Sequence, residues 1–197
     1  MNLKLVLPSL ALILFLFLIF KKEEVYEPQI FKGNIMGTTY NIILQSDVSA
    51  EDAHIEAYNI LQKVNLEMST YIDDSLISKV NKADIGQWVT VSQDFLDVLS
   101  FATTLCKDTQ GIYDVSIGKL VNLWGFGPDS VDKQPSTEEL SYFSSQVGCN
   151  SIETDPTNLS IKKAKDVELD FSSIAKGFAL DKVYEFLIKQ PYLNGFF

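Results

Sequence analysis

The order in which strand-like and helix-like patterns follow one another constrains the fold of this chain most. Residues 38–44 are rich in the β-branched and aromatic residues typical of strands, and apolar residues recur at helical spacing over 53–64. A short strand pattern at 88–91 then precedes a second helical pattern over 92–106. The patterns alternate irregularly and without a repeat. This predicts an α+β fold, with mixed sheets and packed helices, rather than a regular βαβ array.

Helix caps and glycines predict where the elements begin and end. The segment from Ser49 to Asp52 has the pattern of a capping box for a helix that ends near Met68, and Ser92 is placed to cap a helix that stops at Gly111. The other predicted elements are a strand from Ile30 with a bend or bulge at Gly33 and Gly37, a short helix from Asp73 to Asn81, a helix over 137–146, strands over 159–161 and 167–169, and a last helix from Ser172 to Lys189.

An almost unbroken apolar run occupies residues 5–20, with lysines on both sides. Its length lies between the core of a secretory signal and a full membrane span. The run ends without the small residues that a signal peptidase prefers, so we favour an uncleaved membrane anchor and keep a cleaved signal as the alternative. The chain then divides into an anchor or signal (1–22), a polar tether (23–29) and a domain (30–197) that we expect to be exported.

The charge of the chain argues against nucleic acid as a partner. Its 16 Lys and Arg residues are all lysine, and 26 Asp and Glu residues bring the formal net charge to -10. Cationic side chains supply most of the affinity of proteins that bind nucleic acids. We therefore expect no nucleic-acid partner.

The two cysteines and the single histidine give no clear catalytic signal. Cys106 and Cys149 are far apart in sequence, and their surroundings fit neither a metal-binding pair nor a nucleophile. Cys106 lies on the apolar face of a predicted helix, so plain core packing is favoured, and a disulfide between the two stays open. His54 lies in an amphipathic helix and is predicted to be a surface residue rather than a catalytic base.

Four segments contain residues that are unusual for their surroundings. Met36 and Gly37, at a strand entry, would let the backbone approach a flat ligand, although an ordinary bulge also explains them. Tyr71 follows a helix and could stack on a purine or isoalloxazine ring, although a core tyrosine at a turn is the alternative. The stretch 111–128 combines tight glycines with large aromatics, which fits a ligand pocket and a locked corner equally well.

The fourth segment, 168–181, has the features of a phosphate site. A strand is predicted to end at Asp170, and a helix to begin at Ser172 with Lys176 in its first turns. The free N–H groups and positive end of such a helix attract a phosphate. A lysine opposes the preference of the helix dipole for acidic residues there, which indicates that Lys176 meets an anion. A capped surface helix with a solvated lysine is the alternative.

Together these segments resemble the flavin:protein FMN transferases, also called the ApbE family. The resemblance runs from about Gly33 to the end. It rests on these motifs: Met-Gly-Thr-Thr at 36–39, Ser-Thr-Tyr at 69–71, Gly-Ile-Tyr-Asp at 111–114, Asn-Leu-Trp-Gly-Phe-Gly-Pro at 122–128 and Leu-Asp-Phe-Ser-Ser-Ile-Ala-Lys-Gly at 169–177. It implies an ApbE/T-fold-like α+β domain behind an N-terminal hydrophobic anchor, on the periplasmic side of the cell inner membrane.

The resemblance also implies a set of site residues. The implied FAD contacts are Met36, Tyr71, Ile112, Tyr113, Asp114, Asp170 and Lys176. Ser173 is the implied ligand of Mg²⁺, through its backbone carbonyl. No catalytic residue is assigned.

The activity implied by the resemblance is the Mg²⁺-dependent transfer of FMN from FAD to a Thr or Ser hydroxyl of an acceptor protein, with release of AMP. The implied acceptors are flavin subunits of membrane redox pumps and related exported proteins. In the family, the carboxylate and hydroxyl ligands of magnesium lie in a part that continues past residue 197, so we expect this chain to be truncated at its C-terminus. The alternatives are an FAD-binding module, an FAD pyrophosphatase and an inactive fragment.

Overall fold

A computed structural model describes residues 27–128, 134–191 and 193–196. The predicted anchor, most of the predicted tether and the stretch 129–133 lie outside these described residues. None of the described helices combines the length and the hydrophobicity that crossing a membrane requires.

The first sheet is built on a β-hairpin. Strand β1 (Pro28–Ile35) pairs antiparallel with β2 (Thr38–Ser46), and β6 (Leu193–Phe196) pairs antiparallel with the other edge of β2. Both turn residues have positive φ, 52° at Met36 and 70° at Gly37, which is the backbone of the two-residue turns that match strand twist. The strand begins at Pro28, two residues earlier than the predicted start at Ile30.

Gly33 of β1 lies opposite Tyr40 of β2. A Cβ atom at Gly33 would come within 2.6 Å of the Tyr40 ring, so the glycine makes room for that ring rather than bending the strand. The Tyr40 hydroxyl forms a 3.1 Å hydrogen bond with Nε2 of His54, whose ring stacks on Phe31 at 4.4 Å between centroids. The His54 side chain is 19% exposed. The prediction of a surface histidine is wrong, because the aromatic face of the hairpin covers the ring.

The second sheet is small and antiparallel. Its strands β3 (Val89–Thr90), β4 (Ile152–Asp155) and β5 (Ser160–Lys163) have the order β3-β5-β4. The predicted strands at 88–91 and 159–161 are confirmed, while β4 was not predicted. The stretch 167–169 is not a strand, and its one ladder contact is an isolated parallel bridge between Ile117 and Glu168. Val167 and Leu169 are buried, and this alternation made the segment resemble a strand.

The helices pack around one hydrophobic core. They are α1 (Glu51–Met68), α2 (Leu76–Lys82), α3 (Gln93–Asp108), α4 (Gly118–Leu123), α5 (Thr137–Gln146) and α6 (Ala175–Leu187). α1 packs against α6. The Asp94 carboxylate of α3 accepts hydrogen bonds from Lys63 of α1 at 2.7 Å and Lys182 of α6 at 2.9 Å, which ties three helices together.

The predicted helices are confirmed, but one cap is wrong, α2 begins three residues later than the predicted start at Asp73, and α4 was not predicted. Ser92 Oγ accepts the N–H of Phe95 at 3.0 Å, as expected of an N-cap. The predicted capping box at 49–52 does not form. The N-cap of α1 is Ala50, which has no side-chain acceptor, and Ser49 Oγ instead accepts the N–H of Glu51 at 3.3 Å.

Cys106 and Cys149 form a disulfide. Cys106 is buried on the apolar face of α3, as predicted, but the favoured interpretation of plain packing is wrong. The fold brings the last turn of α3 against the segment before β4, where the two Cα atoms lie 5.6 Å apart, a separation that suits a disulfide. The pairing joins residues 43 positions apart, which no local pattern reveals.

Candidate functional site

Thr70 and Tyr71 line two adjoining cavities, and the second of these cavities reaches the hairpin turn. The first cavity has a volume of about 420 Å³ and the second about 600 Å³. The first is lined mainly by polar side chains, among them Ser78, Asn81, Asn122, Glu168 and Asp170. The second is more apolar and is lined by Met36, Gly37, Met68, Ser172, Ala175 and Lys176, among others.

Tyr71 forms the wall between the cavities. Its N–H donates to Ser69 Oγ at 3.3 Å, and its hydroxyl donates to the carbonyl of Phe126 at 2.9 Å. The residue is 68% exposed, so the alternative interpretation of Tyr71 as a core tyrosine at a turn is wrong. The phenol is anchored at its tip while the ring face stays accessible, which suits stacking against a planar ligand.

Lys176 lies at the beginning of α6 and in the second cavity. The helix begins at Ala175, three residues later than predicted, and its N-cap Ile174 provides no side-chain acceptor for the first N–H groups. Lys176 is exposed, and no carboxylate within the described ranges forms an ion pair with it. The N–H of Ala175 itself donates to Phe171 O at 2.8 Å. The positive side chain of Lys176 therefore lies in one cavity wall, at a helix beginning that has no side-chain cap.

Asp170 and Ser172 lead into α6 from the first cavity. The N–H of Asp170 donates to Val115 O at 2.8 Å, and its Oδ1 accepts the N–H of Ser172 at 2.6 Å. Asp170 lines the first cavity while Ser172 lines the second. The turn at 170–172 thus connects the two spaces.

The predicted tripeptide 112–114 does not line either of these cavities. Ile112 is 92% exposed. The Tyr113 hydroxyl is 3.1 Å from Ser173 Oγ, and Asp114 Oδ1 accepts the N–H and the hydroxyl of Ser116 at 2.8 and 2.7 Å. The structure therefore brings Met36, Tyr71, Asp170 and Lys176 around the two cavities and holds the tripeptide beside them.

The family model for the ApbE family matches residues 36–196. This chain belongs to the ApbE family. The match covers the hairpin turn, both cavities and the disulfide.

Curated relatives and solved structures agree with this membership. The FAD:protein FMN transferase of Haemophilus influenzae is 41% identical over 162 residues, which are 78% of this chain and 47% of that protein. The flavin transferase ApbE of Vibrio cholerae has a TM-score of 0.80 at 34% identity, covering 86% of this chain and 56% of that one, and the apo flavinyl transferase ApbE of Pseudomonas stutzeri has a TM-score of 0.80 at 28% identity, covering 87% and 58%. The predicted α+β fold is confirmed, but the predicted mixed sheets are wrong, because both described sheets are antiparallel. The chain spans about half the length of the curated relatives it matches.

Sequence reasoning missed one residue that shapes this ApbE-family site. The Asn81 side chain bonds Leu169 on both sides, with Nδ2 donating to its carbonyl at 2.9 Å and Oδ1 accepting its N–H at 2.7 Å. Asn81 thus forms the two backbone hydrogen bonds that a neighbouring strand would otherwise form with the segment before Asp170. Its own carbonyl accepts Nζ of the buried Lys163 at 2.6 Å, and burial, with the nearby Lys119 charge, lowers the pKa of Lys163. The partners are 88 residues apart, so only the fold reveals them.

The described residues do not by themselves fit a magnesium site. They contain no cluster of three or more His, Cys, Asp or Glu side chains that could hold a metal ion. Ser173, the predicted ligand, is exposed, and its hydroxyl is bonded to Tyr113. Its backbone carbonyl would be one ligand of a hard cation that usually binds through carboxylates.

Proposed function

We propose that this protein transfers the FMN half of FAD to a threonine or serine hydroxyl of an acceptor protein and releases AMP. One observation carries the proposal. In a chain 41% identical to an FAD:protein FMN transferase, Met36, Tyr71 and Lys176 line a single cavity of about 600 Å³. That volume lies within the range of about 300–1,000 Å³ typical of small-molecule sites.

The diphosphate of FAD is proposed to lie at the beginning of α6. Lys176 supplies a positive charge without a carboxylate partner among the described residues, and the beginning of the helix has no side-chain cap, although the N–H of Ala175 is bonded to Phe171 O. Both features favour an anion there. Asp170 remains a proposed polar contact from the adjoining cavity.

A ring of FAD is proposed to lie against Tyr71 and Met36. The tyrosine offers an accessible aromatic face, and the methionine a polarizable side chain at the hairpin turn. Gly37 lines the same cavity with its backbone, at a positive φ of 70°. Ile112, Tyr113 and Asp114 stay predicted contacts beside the cavities.

The transfer forms one phosphorus–oxygen bond and breaks another. The acceptor hydroxyl oxygen attacks the FMN phosphorus, the bond to the bridging oxygen breaks, AMP leaves with that oxygen, and the hydroxyl proton passes to solvent. Positioning and electrostatic stabilisation dominate such reactions, and Lys176 offsets the charge of the diphosphate. Ser173 stays our predicted contact of Mg²⁺, and no step is assigned to the ion because the described residues provide no carboxylate cluster for it.

The proposed partner is the flavin subunit of a membrane redox pump, and the proposed location is the periplasmic side of the cell inner membrane. The apolar run at 5–20 supports attachment to a membrane. The disulfide between Cys106 and Cys149 supports an oxidising compartment, since disulfides persist mainly in exported proteins.

A transfer assay tests the proposed function. The protein is incubated with FAD, magnesium chloride and a recombinant flavin subunit of a redox pump, and the acceptor mass is measured. We expect a gain of one FMN, released AMP in equal amount, and no gain for an acceptor whose target threonine is replaced by valine. AMP with free FMN and an unlabelled acceptor would favour the pyrophosphatase alternative. No AMP and no labelling would contradict the proposal.

A further inference from the structure

The disulfide lies directly behind the tripeptide 112–114. Cys106 occupies the last turn of α3, and Cys149 lies between α5 and β4. A small cavity of about 10 Å³ beside the disulfide is lined by both cysteines and by Asp114, Val115 and Ser116, among others. The disulfide and the predicted flavin-contacting loop therefore line the same small cavity.

Backbone and hydroxyl contacts connect the Cys106 side to the loop. The Cys106 carbonyl accepts the N–H of Gly111 at 2.8 Å, across a turn in which Gln110 and Gly111 have φ values of 55° and 85°. Thr109 Oγ1 donates to the Leu105 carbonyl at 2.7 Å and accepts the N–H of Tyr113 at 3.1 Å. The end of α3 thus fixes the position of the Tyr113 backbone.

A second chain of contacts connects the Cys149 side to the same loop. The N–H of Gly148 donates to Ser116 Oγ at 3.2 Å. Ser116 in turn donates its N–H and its hydroxyl to Asp114 Oδ1. Ser116 is buried, with 2% of its surface exposed, so loss of these bonds would leave polar groups unsatisfied. The disulfide therefore joins the two segments, next to Cys106 and next to Cys149, that each form hydrogen bonds to the loop.

The loop passes this order on to the segment before α6. The carbonyl of Val115 accepts the N–H of Asp170, and the N–H of Gly118 donates to Glu168 O, both at 2.8 Å. The Tyr113 hydroxyl bonds Ser173 Oγ. Three hydrogen bonds thus connect residues 113–118 with residues 168–173, and the second of these segments leads to Lys176.

We propose that Cys106 and Cys149 are positioning residues, whose disulfide holds 112–118 against 168–173 and so preorganises the anion site at α6. The consequence for flavin affinity rests on the proposed function. The effect on the loop does not. A site whose competent state is populated only in part binds its ligand more weakly by that fraction.

The first test measures the loop without any flavin. Hydrogen exchange is followed by mass spectrometry on the oxidised protein and on the protein treated with dithiothreitol, which reduces the disulfide to two thiols and becomes a cyclic disulfide. We expect faster exchange in 109–118, 148–151 and 168–173, unchanged exchange in the hairpin at 28–46, and recovery after reoxidation with oxidised glutathione. Unchanged loop exchange, or equal acceleration everywhere, would overturn the positioning role. The double variant Cys106→Ser with Cys149→Ser is a second route to the same comparison if it folds.

The second test measures FAD affinity by quenching of flavin fluorescence. We expect about tenfold weaker binding after reduction, as when the competent population falls to about one tenth. Asn158→Ala, in the exposed turn between β4 and β5, serves as a control outside the contacts of the loop and of α6, and we expect it to leave affinity unchanged. Localised exchange with unchanged FAD affinity would overturn the link to the anion site. A third outcome is that reduction accelerates exchange only in the loop segments, while the oxidised protein already fails to bind FAD. That outcome would support the positioning role and overturn the proposed function.

Discussion

The two sides of the candidate site differ in how their polar groups are used. On the cavity side, Lys176 has no carboxylate partner among the described residues, and the accessible ring of Tyr71 is held only at its tip. On the loop side, Asp114 and Tyr113 are bonded to Ser116 and Ser173 within the protein. Groups that are already bonded internally mainly stabilise the fold, while groups left open are available to a ligand. Substitutions on the two sides should therefore affect different measurements.

The largest effect is expected for Asn81→Ala. The variant leaves the N–H and the carbonyl of the buried Leu169 without their partners, so we expect the free energy of unfolding to fall by about 3 kcal/mol. Urea unfolding followed by circular dichroism measures it. Asn158→Ala, in the exposed turn between β4 and β5, is the matched control and should cost less than about 0.5 kcal/mol. Equal losses for both variants would show that Asn81 does not organise the segment before Asp170.

Asp114, on the loop side, is expected to stabilise the fold, so Asp114→Ala should lower the stability of the protein. It removes the acceptor of two donors on buried Ser116, so we expect a stability loss of about 2 kcal/mol in the same assay. Asp108→Ala, exposed in the last turn of α3, should change stability little. If Asp114→Ala weakened FAD binding with unchanged stability, the loop would be a ligand-binding wall and the contrast between the two sides would be wrong.

Lys176→Met should behave in the opposite way. We expect about tenfold weaker FAD binding, because a charge-assisted contact to the diphosphate is lost. Stability should stay within about 0.5 kcal/mol, because no internal ion pair is broken. Lys189→Met, exposed just after the same helix, is the control in fluorescence titrations. Unchanged affinity in the Lys176 variant would contradict the proposed diphosphate site.

The smallest effect is expected at Asp94, whose ion pairs with Lys63 and Lys182 connect three helices. Burial alone would raise the pKa of Asp94, but the hydrogen bonds from Lys63 and Lys182 outweigh it and hold the pKa below its usual value. The folded state then binds fewer protons than the unfolded state, so this stabilisation is complete above the unfolded pKa of about 3.9 and is lost as the pH falls through the folded pKa. Asp94→Asn should cost about 1 kcal/mol at neutral pH.

The cost of Asp94→Asn should shrink toward zero in strong acid. Urea unfolding at a series of pH values measures this, with the exposed Asp97→Asn on the same helix as the control. A cost that stayed constant with pH would mean that the charge of Asp94 does not stabilise the fold.

Local signals in the sequence predicted much of the fold. Ser92 as an N-cap, Gly111 after α3 and the helix at 137–146 follow from patterns within one or two turns, and all are confirmed. The short helix α4 was missed within a stretch rich in glycine and aromatic residues. Two other missed elements depend on distant partners. β4 carries exposed polar residues and is defined by its pairing with β5, and β6 is defined by its pairing with β2.

The candidate site could be predicted only in part, for the same reason. Motifs identified Met36, Tyr71 and Lys176 one at a time, and the fold places them in one cavity. The roles of Asn81 and of the disulfide depend on contacts between residues far apart in sequence. Periodicity cannot reveal such contacts, because it reports which face of an element is apolar and not what covers that face.

The hairpin has a consequence for sequence variation among related proteins. Gly37 has a positive φ with empty space around its Cβ position, so asparagine, which tolerates that conformation, should be accepted there. Gly33 has an ordinary backbone but no space, so any side chain would push the Tyr40 ring away from His54. In a library that samples all amino acids at both positions, the survivors should vary at the turn and remain glycine in the strand.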